Sequence, residues 1–276
     1  MWGVRAAQSG PIGLIAGAGE FPILFAKAAM SSKQPVIVFG VEKLTDRRVE
    51  DFTSEAHYVG LGELGRLVGL LREKKIKNVV LAGGIPKKQI YNPDFKMDST
   101  AKGFIEGTAN KGDDHILRKL ELFLKLKCGA RVMDARSILK DTLASRGVMT
   151  RRRPTEAEWK DLRFGFRVSK HVGRMDIGQT VIVKNGVVVA VEALEGTDEA
   201  IRRAGKLAGG GVVVVKTSKP IQSLRFDLPC VGSDTIQTLA SAGSAVLGVE
   251  AGRTILISKD KFIENCDRAG VAVVGF

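Results

Sequence analysis

Four acidic residues in the second half of this 276-residue chain have types and spacing suited to chemistry. VEALEGTDEAIRR sets Glu192, Glu195 and Asp198 where an apolar run ends and a helical period begins, and RFDLP holds Asp227 between apolar neighbours. Carboxylates gathered at strand ends are what a hard cation such as Mg²⁺ takes, with water and phosphate oxygens completing its octahedron. Plainer readings stand beside this one. Asp198 could cap the helix, Glu192 could lie on a solvated strand face, and Asp227 could pair with Arg225 or a nearby lysine. Asp227 is the hardest to dismiss, because an isolated aspartate among apolar residues is costly to bury without a partner.

Three further segments could bind anions. GAGEFP, residues 17–22, places Gly17, Ala18 and Gly19 between a strand and a helix, where backbone N–H groups can approach a phosphate. The third glycine of a dinucleotide fingerprint is replaced by Pro22, which suits a first helical turn but removes a donor. Glu42 stands about where such a fold puts its ribose acid, so an NAD(P) site stays open beside a plain tight turn. AGGIPKK, residues 82–88, brings Gly83, Gly84 and two lysines to the end of another strand, as a ligand loop or as a loop with solvated lysines. GDDH puts Asp113 and Asp114 in a first helical turn, where carboxylates complement the helix dipole. Capping is the reading for Asp114, and Asp113 is open between capping and binding. His57, His115 and His171 share no ligand or triad spacing and read as structural.

The elements that must position these residues follow from periodicity. Apolar runs at 11–17, 35–41, 78–84 and 131–135 lack polar alternation and read as strands buried on both faces. Helical periods separate them at Phe21 to Met30, Leu64 to Lys74 and Asp113 to Leu126. This predicts an α/β chain with an N-terminal Rossmann-like, doubly wound parallel-sheet domain over 1–138. A linker is predicted at 139–148, and a C-terminal mixed α/β catalytic domain over 149–276. Thr155 and Glu158 fit a capping box opening a helix. QTVIVKNGVVVAVEAL reads as a hairpin turning at Asn185-Gly186, and GGGVVVVKTS as another strand. SDTIQTLASAG reads as a helix capped by Ser233 or Asp234, and AVLGVEAG, TILISKD and VAVVGF as short strands.

The formal charge is +13, and the excess is concentrated in residues 127–175, with thirteen Lys and Arg against five Asp and Glu. A basic surface favours phosphates or anionic headgroups; the plain reading is a solvated face. No aromatic residues interleave with these charges and no DNA-binding spacing occurs, which argues against nucleic acid. No apolar run approaches the roughly 20 residues that span a bilayer. The three cysteines, Cys128, Cys230 and Cys266, have no metal-ligand spacing. Free thiols and a cytoplasmic location are expected, with residues 1–10 as a short loose leader.

Taken in order, GLIAGAGEFP, VVLAGGI, GDD, GVMTRRRPTEAE, DIGQTVIVKNGVVVAVEALEGTDEAIRRAG, KTSKPIQSLRFDLPCVGSDTI, VLGVEAGRTI and DRAGVAVVGF resemble the LpxI family from about Pro11 to the C-terminus. Its members are UDP-2,3-diacylglucosamine pyrophosphatases of lipid A synthesis. The resemblance implies two domains, a homodimer, a Mg²⁺ requirement and release of UMP with lipid X (2,3-diacylglucosamine 1-phosphate). It also implies that Asp227 is essential to catalysis. Cys230 departs from the small residue or Thr expected there. The expected site is then Asp227 as catalytic residue and, with Glu195 and Asp198, as metal ligand. Gly17, Ala18, Gly19, Gly83, Gly84, Asp113, Thr150, Arg151, Lys170 and Lys216 are the expected substrate contacts. The basic segment 151–153 and Lys170 would neutralise pyrophosphate or bring the enzyme to the anionic inner membrane.

Overall fold

The structure is a computed structural model that describes residues 10–85, 96–106, 113–220, 223, 225 and 228–276. The chain forms two compact units divided between Leu139 and Lys140, with Arg225 counted in the first.

The first unit is built on five parallel strands in the order β3-β2-β1-β4-β5: β1 Ile12–Ala16, β2 Val36–Val41, β3 Glu55–Val59, β4 Asn78–Ala82 and β5 Arg131–Val132. Side chains alternate across a strand, so each sheet face needs its own cover. Ile15, Ile37, Phe39 and Val79 pack with Leu67 and Leu71 of α2 (Leu64–Glu73) and Leu124 of α4 (Asp113–Cys128). Leu14, Ala16 and Val38 point the other way, and α1 (Phe21–Ser31) buries Phe25, Ala26 and Ala29 against β1, β2 and β4. A short helix α3, Ser99–Ile105, is capped by Asp98, whose carboxylate accepts the Ala101 N–H at 2.7 Å. The doubly wound parallel sheet expected from the buried runs is therefore present. β3, α3 and a 3₁₀ turn over Arg47–Phe52 are additions, and β5 is shorter than the 131–135 run.

The second unit carries a mixed six-stranded sheet in the order β6-β13-β11-β9-β7-β8. β9 (Val212–Lys216), β11 (Ser244–Val249) and β13 (Ala272–Gly275) run parallel. β6 (Gly147–Val148) and the hairpin β7 (Thr180–Lys184) and β8 (Val187–Val191) add antiparallel strands. β10 (Cys230–Val231) and β12 (Ile255–Leu256) form a separate parallel pair. One face packs Val213, Val215, Val246 and Val274 against Leu162, Trp159 and Phe166 of α5, Glu156–Arg174. The opposite face packs Val212, Val214, Leu247 and Val273 under α6 (Thr197–Ala208), α7 (Ser233–Ser241) and α8 (Lys259–Arg268). Of the residues read as linker, 139–148, Leu143 bridges Ile255 and β6 pairs with β13 within this unit.

Local chemistry explains why these elements start and stop where they do. Thr155 and Glu158 form the expected capping box, and Arg152 holds Glu158 at 2.6 Å. The hairpin turns on Asn185 (φ 51°) and Gly186 (φ 77°), both in the left-handed region that a two-residue turn of this kind requires. Buried Asp161 locks that turn, accepting the N–H groups of Asn185 at 2.8 Å and Gly186 at 2.7 Å. Two expectations are corrected. α7 is preceded by Gly232 rather than capped by Ser233 or Asp234, whose side chains cap nothing there. TILISKD is strand only at Ile255–Leu256, and its last residues enter α8, whose polar outer face hides the buried Phe262 and Cys266. Because Asp161 supplies two charge-assisted bonds to a buried turn, Asp161→Ala is expected to cost about 1.5–3 kcal/mol. Chemical denaturation measures this, with Asp161→Asn falling between the two.

Candidate functional site

In an open α/β sheet the carboxyl ends of the parallel strands form the ligand edge. In the second unit that edge is polar and buried: Lys216 ends β9, Thr217 and Ser218 follow it, and Glu250 follows β11, all at 9% exposure or less. Glu250 Oε2 accepts the Ser218 N–H (3.0 Å), the Ser218 hydroxyl (2.7 Å) and the Lys170 ammonium (2.6 Å). Arg253 approaches its other oxygen at 3.3 Å. Lys170, near the end of α5, also donates to the Ser218 carbonyl at 2.9 Å. Burial pushes the Glu250 carboxyl up, but hydrogen bonds from Lys170 and Ser218, with the Lys170 charge, hold it below the ordinary glutamate value.

Beside this lies a second buried group. Glu192 is only 8% exposed and accepts the Thr197 hydroxyl at 2.8 Å, so the solvated-face reading of Glu192 is corrected. Lys216 donates to Thr197 Oγ1 at 3.1 Å and to the Cys230 carbonyl at 3.0 Å. Asp198 does not cap α6, which is preceded by Gly196, and its Oδ1 is buried without a hydrogen-bond partner. The Glu195 carboxyl is held below the ordinary glutamate value by its own backbone N–H first, then by Arg203 at 2.6 Å and the Ala193 N–H. Among the described residues no three His, Cys, Asp or Glu side chains converge as a metal cluster.

The structure thus brings Lys170, Lys216 and the loop of Glu195 and Asp198 to one edge. It does not bring Thr150 and Arg151 there. The Thr150 hydroxyl accepts the Val273 N–H and donates to the Arg152 carbonyl, and the Arg151 N–H binds Asp267, at the opposite, amino end of β13. Arg152 reaches Ala245 at the start of β11. The basic run 151–153 therefore lies at the wrong end of the sheet to share an anion with Lys170 and Lys216. Asp227, Lys87, Lys88 and the side chain of Asp113 lie outside the described residues; Arg225 gives its guanidinium to Glu121 at 2.5 Å.

In the first unit, the strand order reverses at β1, and the loops after β1 and β4 leave that point in opposite directions. They bond to each other: Ala18 and Gly84 exchange N–H···O bonds at 2.8 and 3.1 Å. A Cβ on Gly17 would sit 2.6 Å from the Gly84 carbonyl oxygen, and one on Gly83 2.4 Å from that of Ala18. Gly17 and Gly83 are thus required by loop packing, while positions 19 and 84 are open. Glu42 is exposed just beyond β2. The histidines are local: His57 pairs with Glu55 and stacks on Phe39, and His171 Nδ1 lies 2.8 Å from the Arg167 carbonyl. The three cysteines are free.

A doubly wound parallel-sheet unit followed by a mixed-sheet unit with a buried, charged carboxyl edge is an α/β architecture of the class whose ligands bind at strand ends. Residues 11–142 match the LpxI N-terminal domain and residues 145–274 the LpxI C-terminal domain, and the chain belongs to the LpxI family. The UDP-2,3-diacylglucosamine pyrophosphatase LpxI of Caulobacter vibrioides is 32% identical over 275 residues, covering 96% of each chain, so the family is one of enzymes. The bifunctional purine biosynthesis protein PurH of Anoxybacillus flavithermus is 31% identical over 168 residues, 59% of this chain but 29% of its own. A UDP-glucose-4-epimerase from Stenotrophomonas maltophila has a TM-score of 0.28 and 14% identity over 44% of this chain and 34% of its own.

Because Glu250 is held below its ordinary value, the stability it contributes is fully present above the unfolded carboxyl's pKa of about 4.3 and is lost as pH falls through the lower folded value. Removing Lys170 takes away much of that depression. Lys170→Met should therefore begin to unfold at higher pH than the parent, read as melting temperature against pH. Superimposable acid-unfolding curves would show that the pair is not coupled.

Proposed function

We propose that the chain hydrolyses the pyrophosphate of UDP-2,3-diacylglucosamine to UMP and lipid X in lipid A synthesis, with Mg²⁺ as cofactor. The observation that carries this reading is the 32% identity running through 96% of both this chain and the Caulobacter vibrioides pyrophosphatase. The charged edge of the second unit supports it, since water added across a P–O–P bridge needs cations for the phosphoryl oxygens and a carboxylate to orient the water.

Asp227 is the carboxylate assigned to that task. Lys216, with two hydrogen bonds to neutral acceptors, is the cation placed to hold a phosphoryl oxygen. Lys170 is tied to Glu250 and Ser218, so its part is to fix the end of β9 beside Lys216. Met175, Ile177 and Leu194, exposed on the loops that flank this edge, would offer apolar surface to acyl chains. Within the first unit, Gly19 and Gly84 keep open space at the switch point.

The donor set suits magnesium to the extent that Asp198 keeps an unspent buried oxygen, whereas Glu195 is committed to Arg203. Mg²⁺ commonly takes one or two carboxylates and completes its shell with water and phosphate. Asp198 and Asp227 are the residues that would hold it, and when bound it would polarise phosphoryl oxygens. No described helix is long and apolar enough to cross a membrane. A cytoplasmic homodimer touching the inner membrane peripherally completes the reading.

Purified protein with Mg²⁺ is expected to convert UDP-2,3-diacylglucosamine to UMP and lipid X, and excess EDTA to stop it. Asp227→Asn should lower kcat by at least about 100-fold, each ~1.4 kcal/mol of barrier being tenfold, with an unchanged melting temperature. Turnover in EDTA would remove the metal from the mechanism. A folded Asp227→Asn enzyme within tenfold of the parent would remove Asp227.

A further inference from the structure

Lys216 and Glu192 are both 8% exposed and carry opposite charges, yet among the described residues neither has an ion-pair partner. Isolated buried charges are expensive, so what joins them matters. An ammonium can only donate and a carboxylate can only accept. Thr197 lies between, 3.1 Å from Lys216 Nζ and 2.8 Å from Glu192 Oε1. Its single hydroxyl proton must therefore go to Glu192, and its oxygen must accept from Lys216. Thr180 Oγ1, 3.4 Å away, can join only as a second donor to Thr197. The Gln179 N–H at 3.3 Å fixes the other oxygen of Glu192.

We infer that Glu192, acting through Thr197, is a positioning residue for Lys216. The relay fixes the ammonium at the mouth of α6 and offsets its charge at one hydroxyl's remove. A direct ion pair would neutralise Lys216 and turn it inward, as happens to Lys170 on Glu250. Among the described residues the indirect one leaves an N–H of Lys216 and a positive field for an anionic oxygen. Thr197 is also the first residue of α6, whose amino end adds partial positive charge at the same place. The ligand class is a phosphate or pyrophosphate group; the assignment of that group to UDP-2,3-diacylglucosamine rests on the function proposed above.

The test uses the full chain and four variants. Thr197→Val deletes the relay, Thr197→Ser keeps it, Glu192→Gln keeps an acceptor but removes the charge, and Lys216→Met removes the cation. With UDP-2,3-diacylglucosamine, Thr197→Val and Glu192→Gln should raise KM by about 10–100-fold, the range seen when partners that orient metal ligands are lost, with little change in kcat. Thr197→Ser should restore the parent value. Calorimetric titration with inorganic pyrophosphate in metal-free buffer gives a readout independent of turnover, and should follow the same order, with Lys216→Met the weakest. Melting temperatures identify variants that merely fold poorly. If Thr197→Ser is as impaired as Thr197→Val, or if the folded Thr197→Val and Glu192→Gln variants bind pyrophosphate as the parent does, the relay is refuted. Parent protein that binds pyrophosphate in this order but lacks turnover would refute the proposed reaction and leave the relay standing.

Discussion

Glu250, Ser218 and Lys170 meet where two parallel strands end, and most of the second unit's polar edge depends on that meeting. A single carboxylate oxygen collects a backbone N–H, a hydroxyl and an ammonium. Three different elements are tied by it: α5 through Lys170, β9 through Ser218, and the residue after β11 through Glu250 itself. Losing any one partner would leave another buried and uncompensated, which is the expensive outcome for polar groups in a low-dielectric site. The end of β9 is thereby fixed. The arrangement also explains why Lys170, basic and close to the edge, has its ammonium committed to protein acceptors.

The edge draws its electrostatic character from topology. α6 follows the hairpin and opens at Thr197 near the carboxyl end of β9, so its positive end faces the edge. α5 brings Lys170 to the same end, while its own start, with Arg152 and Glu158, is at the amino end of β11. One helix therefore divides the basic stretch of the sequence between two ends of one sheet. Net charge counted along the chain could not resolve this, because Thr150 to Arg153 and Lys170 are close in sequence but separated by the length of a 19-residue helix.

Much of the architecture was legible because its signals are local. Buried parallel strands read as unbroken apolar runs, the Thr155–Glu158 box and the Asn185-Gly186 turn each carry their own geometry, and all are present. What was missed lacked such a signal. Glu55–Val59 contains Glu55, His57 and Tyr58 and forms an edge strand of the parallel sheet, so burial on both faces never marked it. α8 is highly polar and shows its core side only at Phe262 and Cys266. Asp161 sits inside WKDLRFG with nothing in its spacing to mark it, yet it holds a turn more than 20 residues away. Glu250 and Ser218 likewise became site residues only through pairings across 32 positions. Resemblance over the whole chain carried the family, whereas residue-level partners came from three-dimensional contacts that spacing does not encode.

The two glycine segments of the first unit show how a motif can be divided between fold and ligand. In GAG and AGG the residue that looks diagnostic for phosphate is partly consumed by packing, since Gly17 and Gly83 let two loops cross at carbonyl distance. The bridge between Ala18 and Gly84 spends N–H and C=O groups that a cradle would otherwise direct outward. Gly19, at φ +95°, and Gly84 have open space beside them, and only there does the backbone keep room for a ligand. An anion at this switch point would therefore meet fewer backbone donors than the motif promises, and Pro22 removes one more. Firm electrostatic grip must come from side chains, and the cations most firmly fixed at a strand-end edge are those of the second unit.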